Sequence, residues 1–343
     1  MIIKEFRELS RDRRTMAMLV VLPILLLVIF GYAANFTVST LRTAVVGPNA
    51  STAVAMLPPL FDVVITESGQ GTARAHELLV DGVVQVVIDT STAPPTAWVD
   101  GADLFSAQTA TAVLAKAGSQ VAVAIEFNRE LKTSWYMVPS IIGLILTFIG
   151  TIITSIGLVR ERETGTLEQL AVMPFRPIDV IIGKIAPYFL LASIDLIVIT
   201  VLGMLLFGLP FNGSVLVFGV GAALFLLVVL GMGVLISTVS QTTGQAIQLA
   251  MMTLLPQILL SGMIFPLIAM PWAVRWIGYL MPLTYFTMIS RGQFLRGTPL
   301  DATATWLPLL VLTVMALVVF GLAVVRFRRD LSPRGGHKAG THA

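Results

Sequence analysis

The side chains best suited to chemistry gather in one decapeptide, Glu161-Arg162-Glu163-Thr164-Gly165-Thr166-Leu167-Glu168-Gln169-Leu170, which begins where a long apolar run ends near Val159. Glu161, Glu163 and Glu168 offer carboxylates for ion pairing with basic residues of a partner surface. Gly165-Thr166 interrupts or restarts a helix, with Thr166 able to cap it and Glu168 or Gln169 near its first turn. Pro174 and Pro177 stop the segment and turn the chain into the next apolar run. So polar a stretch beside an apolar run predicts a docking element rather than a slack loop. No metal or nucleophile cluster competes with it. His76, His337 and His342 are scattered, whereas a zinc site needs clustered ligands. The absence of cysteine excludes disulfides, thiolate metal sites and a cysteine nucleophile. No G-x-x-x-x-G-K-[ST] loop occurs, so the chain does not cradle ATP phosphates in that way.

The elements that must position this segment are membrane helices. The 343 residues are 56% hydrophobic and only 12% charged, against about 25% charged in soluble domains. A soluble fold of this length cannot hide that much apolar surface, which indicates an α-helical integral membrane protein. Six apolar segments approach the roughly 20 residues needed to cross a bilayer, at 16–36, 135–159, 178–207, 215–239, 246–265 and 306–325. Trp135, Tyr136, Trp272, Trp276, Tyr279 and Trp306 fall near their ends, as interfacial aromatics do. Asp195 is the one acid clearly inside a span. A lone intramembrane carboxylate is costly unless paired or protonated. A hydrogen bond to a neighbouring helix is the expected arrangement, and a proton relay is the functional alternative.

Positive charge orients the spans. Lys4, Arg7, Arg11, Arg13 and Arg14 precede the first span, and Arg160, Arg162, Arg176 and Lys184 follow the second. Arg326, Arg328, Arg329, Arg334 and Lys338 follow the last, so fourteen of the 22 basic residues share one side. That side reads as cytoplasmic and holds both termini. The first apolar run, about 19 residues long, exceeds the usual signal-peptide core of about 7–15, so an uncleaved anchor is expected. Ile2, Ile3, Phe6 and Leu9 recur at helical spacing, predicting an amphipathic helix over 1–15 on the cytoplasmic leaflet. Residues 326–343 form a basic cytoplasmic tail.

Residues 37–134 have a different character: charges return and long apolar runs vanish. Strands are expected at 41–46, 62–66, 83–88 and 97–99, with helical composition at 50–57 and 72–80. A helix-like run from Asp103 to about Leu131 leads into the second span. This predicts a small α/β domain on the outer face between the first two spans. Its acids, Asp62, Glu67, Asp81, Asp89 and Asp103, are dispersed and expected to be solvated.

Two strips of small or weakly polar residues follow helical spacing. Gly143, Thr147, Gly150, Thr154 and Gly157 lie on one face of the second span. Ala246, Ala250, Thr253, Gln257 and Ser261 form a matching strip on the fifth, where Pro256 loosens the backbone. Such strips let helices approach closely in lipid, and packing alone explains them. Lining of a translocation path or a dimer interface is the functional alternative. Residues 266–305 are broken apolar sequence, read as re-entrant or interfacial helices on the outer side.

The decapeptide, Pro174, Gly183-Lys184 and the Pro282-Leu283-Thr284-Tyr285 element followed by Arg291 resemble the permeases of ABC-2 type transporters. With an outer domain in this position, the chain is similar to their drug-efflux-like subgroup in bacterial inner membranes. The resemblance implies that 160–177 is the cytoplasmic coupling segment, with Glu161, Glu163, Gly165, Thr166, Glu168 and Gln169 contacting an ATPase. It implies two permease subunits, identical or paralogous, working with two ATPase subunits that bind ATP and magnesium on a separate polypeptide. This chain is then a transport subunit without cofactor, metal or nucleic-acid partner. It also implies that the second and fifth spans meet at the dimer interface. The expected cargo is hydrophobic or amphipathic, a drug, a lipid or a similar molecule. Two other classes compete. A secondary transporter would use Asp195, though no inverted repeat shows. A membrane-anchored sensor would carry a cytoplasmic output domain, and the inner segments are short.

Overall fold

The computed structural model describes residues 38–69, 71–116, 121–164 and 177–331, together with Ile24 and Gly31. The expected interface helix 1–15, all but two residues of the first span, and Gly165, Thr166, Glu168 and Gln169 lie outside the described residues.

The α/β region runs β1 (Leu41–Val46), α1 (Ala50–Met56), β2 (Phe61–Glu67), α2 (Thr72–Val80), β3 (Val86–Asp89), β4 (Thr96–Asp100), α3 (Leu104–Lys116) and β5 (Ala122–Glu126). Its single sheet has the order β2-β1-β3-β4-β5, with every pairing parallel except β3 with β4. The central strands β1 and β3 are largely buried and mostly apolar on both faces, as buried parallel strands are. Leu41, Val45, Val86, Ile88 and Val99 pack against Ala107, Ala110 and Leu114 of α3. Ala44, Val46 and Val87 point the other way, onto Ala75, Leu78 and Leu79 of α2.

The run expected to be helical from Asp103 to Leu131 instead breaks. Helix α3 ends at Lys116 and β5 adds a fifth strand beside β4. Short apolar stretches such as Ala122-Val123-Ala124-Ile125 suit either state, and the open edge of β4 decides between them. The turn after β5 is tight. Phe127 and Leu131 have φ of 64° and 49°, the left-handed region that L side chains rarely enter. Asn128, fully buried, holds it: its Nδ2 donates to the Lys132 carbonyl at 3.1 Å and its Oδ1 accepts from the Lys132 amide at 2.9 Å. Gly101 is required beside this turn, because a Cβ there would come within 2.7 Å of the Asn128 carbonyl oxygen. Not all acids of this region are solvated as expected. Asp89 is buried, accepting from Thr72 Oγ1 at 3.0 Å and from Ser91 Oγ at 2.5 Å.

The remainder is helical: α4 (Thr133–Glu163), α5 (Pro177–Phe207), α6 (Val215–Val239), α7 (Thr243–Leu260), α8 (Trp272–Gly278), α9 (Pro282–Arg291) and α10 (Thr303–Leu331). Among the described residues, four stretches are long and apolar enough to cross a membrane, namely Thr133–Glu163, Ile182–Phe207, Val215–Val239 and Thr303–Arg326. Helix α7 is not among them. Its 18 residues span about 27 Å and include Gln245, Gln248, Thr253 and Gln257. The expected fifth span 246–265 therefore starts earlier and stops at Leu260, where the chain turns through Gly262 at φ 81°.

Helix α4 is the axis, packing on α5, α6, α7 and α9. Around it the core is aromatic. Phe225 stacks on Phe286 with centroids 4.6 Å apart, and Phe294 meets Phe218 edge-on at 5.3 Å. Helix α5, apolar all round, leaves Leu190, Leu191, Ile197, Leu205 and Leu206 exposed, the face a membrane helix presents to lipid or a partner.

Candidate functional site

The last turn of α4, just before the segment expected to couple, is tied to three other helices. Glu163 caps the start of α7: Oε1 accepts from the Thr243 amide at 3.0 Å and Oε2 from Thr243 Oγ1 at 3.1 Å. A carboxylate is favoured there by the orphan amides and the positive end of the helix dipole. Arg162 Nη1 donates to the carbonyl of Ser240, the residue ending α6, at 3.1 Å. Glu161 forms an ion pair with Lys184 of α5. The acids expected to face a partner are thus, for Glu161 and Glu163, engaged within the chain.

The α4 strip faces inward. A Cβ at Gly150 would come within 2.8 Å of Val229 Cγ1 on α6, and one at Gly143 would collide with Phe286 and Leu283 of α9. Gly157 lies against Tyr188 of α5, and Gly233 of α6 lies against Thr154. Thr147 Oγ1 donates to the Gly143 carbonyl at 2.8 Å, bonding within its own helix. All five strip positions thus serve close packing between helices of one chain.

On α7 the strip is different. Thr253 lines an apolar cavity of about 350 Å³ with Met232, Met252, Met281 and Met315, between α6, α7, α9 and α10. Ser261, eight residues on, lines a second cavity of about 660 Å³. Gln257 lies between them on the same helix, fully buried, with both amide atoms lacking a hydrogen-bond partner. A polar stripe therefore runs along α7 from one cavity to the other. Asp195, half-buried on α5, has no hydrogen bond or ion pair among the described residues.

The larger cavity sits between the α/β region and the adjoining helix ends, opposite the Glu163 end of α4. Four arginines line it: Arg42, Arg275, Arg291 and Arg296. Arg291 is the most constrained. It stacks over the Tyr136 ring at 3.5 Å and donates to the carbonyls of Tyr136, Gly262 and Met263 at 3.0–3.2 Å. It thereby ties α9 to the start of α4 and to the turn after α7. Arg275 donates to the carbonyls of Ile268 and Met270 at 2.8–3.1 Å. Arg296 reaches Asp100 at the end of β4, with Nε and Nη2 at 2.9 and 2.5 Å from Oδ2. Asp100 Oδ1 accepts from the Ala102 amide at 2.9 Å. Burial pushes the Asp100 carboxyl above the usual carboxylate range, and Arg296 pulls it only partly back. Burial likewise raises Asp81 on the same wall.

Of the four arginines, only Arg291 was singled out from the sequence, in the element that begins at Pro282. An arginine in the broken sequence after an apolar helix is the signal that could have found Arg275 and Arg296 as well.

The chain is similar over nearly its whole length to transport proteins. It is 29% identical over 364 residues to the probable multidrug ABC transporter permease YbhS of Escherichia coli K12, covering 96% of both chains. It is 28% identical to the probable multidrug ABC transporter permease YbhR of the same organism, covering 96% of this chain and 98% of that one. The inner membrane transport permease YhhJ is 31% identical over 214 residues, covering 60% of this chain and 55% of that one. The ABC-2 family transporter protein pattern matches residues 13–325, and the chain belongs to that family.

Proposed function

We propose that this chain is the membrane permease subunit of an ATP-driven exporter, with ATP and magnesium bound by a separate ATPase polypeptide. In this reading it spans the bacterial inner membrane six times, keeps both termini in the cytoplasm and carries the α/β region outside. Two permease subunits enclose the path, and the cargo is hydrophobic or amphipathic. The observation that carries the reading is the last turn of α4. Glu161, Arg162 and Glu163 bond to α5, α6 and α7 directly before residues 165–176, so a push on that segment reaches three helices at once. The family resemblance supplies the expectation that an ATPase delivers that push. The stripe Thr253, Gln257 and Ser261, joining a methionine-lined cavity to a polar one, is the proposed route for cargo. Gly143, Thr147, Gly150, Thr154 and Gly157 then act behind that route by letting α4 sit close to α6 and α9.

The test is affinity purification of the full chain from its native membrane, followed by ATP-dependent transport into inverted vesicles. Co-purification of a Walker-motif subunit is expected. Glu163→Ala and Thr243→Val should insert normally, retain that subunit and lose most transport. Full transport in both variants, or recovery of the chain without any ATPase under gentle extraction, would sink the reading.

A further inference from the structure

The 660 Å³ cavity has two properties that packing alone does not require. The first is an excess of positive charge. The guanidinium groups of Arg275 and Arg291 meet carbonyl oxygens and an aromatic ring, and neither has an ion pair among the described residues. Arg42, across the cavity on β1, is exposed, and its guanidinium has no hydrogen bond or ion pair among the described residues. Arg296 is neutralised by Asp100, which leaves three arginines facing Asp81 and Asp103, a net single positive charge. Carbonyl dipoles satisfy donors but do not cancel charge, and a partly desolvated cation gains from an anion. The second property is hydrogen-bonding capacity left unused. Ser261 and Thr287, 1% and 2% exposed, are among the lining residues, and their hydroxyls have no hydrogen-bond partner among the described residues.

Leu267, Ile268, Met288 and Leu307 give the lining an apolar side. Helices α4 and α10 carry membrane-length apolar stretches from this end of the bundle, so the cavity opens where an amphiphile's head and tail meet different surroundings. We propose that this cavity is a binding site for a singly charged anionic amphiphile. Its head is held by Arg275, Arg291 and Arg42 and by the hydroxyls of Ser261 and Thr287, and its chain lies along Met288 and Leu307. Arginine suits a carboxylate, sulfonate or phosphodiester because its planar fork donates two parallel bonds to such groups. Asp81 and Asp103 on the domain wall disfavour a second negative charge, which selects a monoanion over a dianion. That chemistry is common to a bilayer phospholipid such as phosphatidylglycerol and to a free alkyl carboxylate or sulfonate. The site serves export only if the transport reading holds, but binding stands apart from it and is measured without nucleotide.

The experiment uses the full chain in nanodiscs of zwitterionic lipid, with empty discs subtracted. Titration with a dansyl-labelled undecanoate is compared with its uncharged methyl ester. The acid should bind about tenfold tighter than the ester, the discrimination expected of a charge-assisted site. Arg42→Gln should weaken the acid several-fold and leave the ester unchanged, and this exposed residue is not needed for folding. Leu307→Trp, which fills the apolar side, should weaken both probes. Displacement by phosphatidylglycerol built into the disc identifies a lipid source, and displacement only by added decanoate identifies a free amphiphile. Either supports the proposal. Equal affinity for acid and ester, or full displacement by inorganic phosphate at matched concentration, would overturn it. So would unchanged binding in both variants.

Discussion

Replacing Arg296 by glutamine gives the sharpest prediction because it tests how the α/β region is fastened to the helices. Asp100 is 0% exposed, and among the described residues its oxygens are served by the Ala102 amide and Arg296 alone. Removing one partner of a buried ion pair strands the other charge, at a cost of about 3–5 kcal/mol. For a chain of this size that lowers the melting temperature by roughly 6–15 °C, taking about 2–3 °C per kcal/mol. Trp98, two residues before Asp100 on β4, reports the transition by fluorescence. The stranded carboxyl also dictates a pH dependence. Burial already raises the Asp100 pKa, and without Arg296 it rises further. An acid whose folded pKa lies above its unfolded value favours folding more as pH falls. The defect of Arg296→Gln should therefore shrink between pH 7.5 and pH 5. The double variant Asp100→Asn/Arg296→Gln has no buried charge and should recover most of the loss, a coupling of about 2–3 kcal/mol in the mutant cycle. A single variant within 1 °C of the parent, or a double variant whose loss is the sum of the singles, would refute the argument.

Gly150→Val should destabilise by about 1–3 kcal/mol or prevent insertion, because its first new atom meets Val229 on α6 at 2.8 Å. Gly219→Ala, where nothing lies within 4 Å, should be neutral or stabilise by up to about 1 kcal/mol, and thermal melts of both variants make the comparison. Asn128→Ala should cost about 1–3 kcal/mol, since the left-handed turn leading into α4 loses both side-chain bonds that hold it; limited proteolysis at 127–132 should rise with it. Asp195→Asn should leave melting temperature and transport unchanged, because no partner among the described residues depends on the carboxylate. Loss of transport with normal folding would favour an ion-coupled carrier instead.

The identity of the elements was legible where the signal is local. Val215–Val239 is a continuous apolar run, Leu41–Val46 a β-branched one, and Thr72–Val80 a short amphipathic helix, so composition and period sufficed. The boundary of α7 was less legible because the apolar run continues through Met263-Ile264-Phe265, beyond Leu260 where the helix ends and the chain turns through Gly262. Strand β5 was missed because five apolar residues become a strand only when a neighbour offers an edge. The small-residue periodicity of α4 announced a close approach, but which surface it approached depended on Phe286, Val229 and Tyr188, which are 31 to 143 residues away in the chain and carry no mark of that pairing. Glu161 and Glu163 read as free charges because their partners, Lys184 and Thr243, become neighbours only when the helices assemble.

Composition and charge placement alone determined that this chain is a membrane protein of apolar helices with a small α/β insertion, and one polar segment was enough to name its family, because those properties are sums over residues or contiguous strings. The arginine-lined cavity and its Asp100–Arg296 fastening were decided by tertiary structure alone. Their members come from β1, β4, α4, α8, α9 and the turn after α7, and the ion pair joins residues 196 positions apart. Nothing in a linear string weights one such distant pair over another until packing removes the water between them.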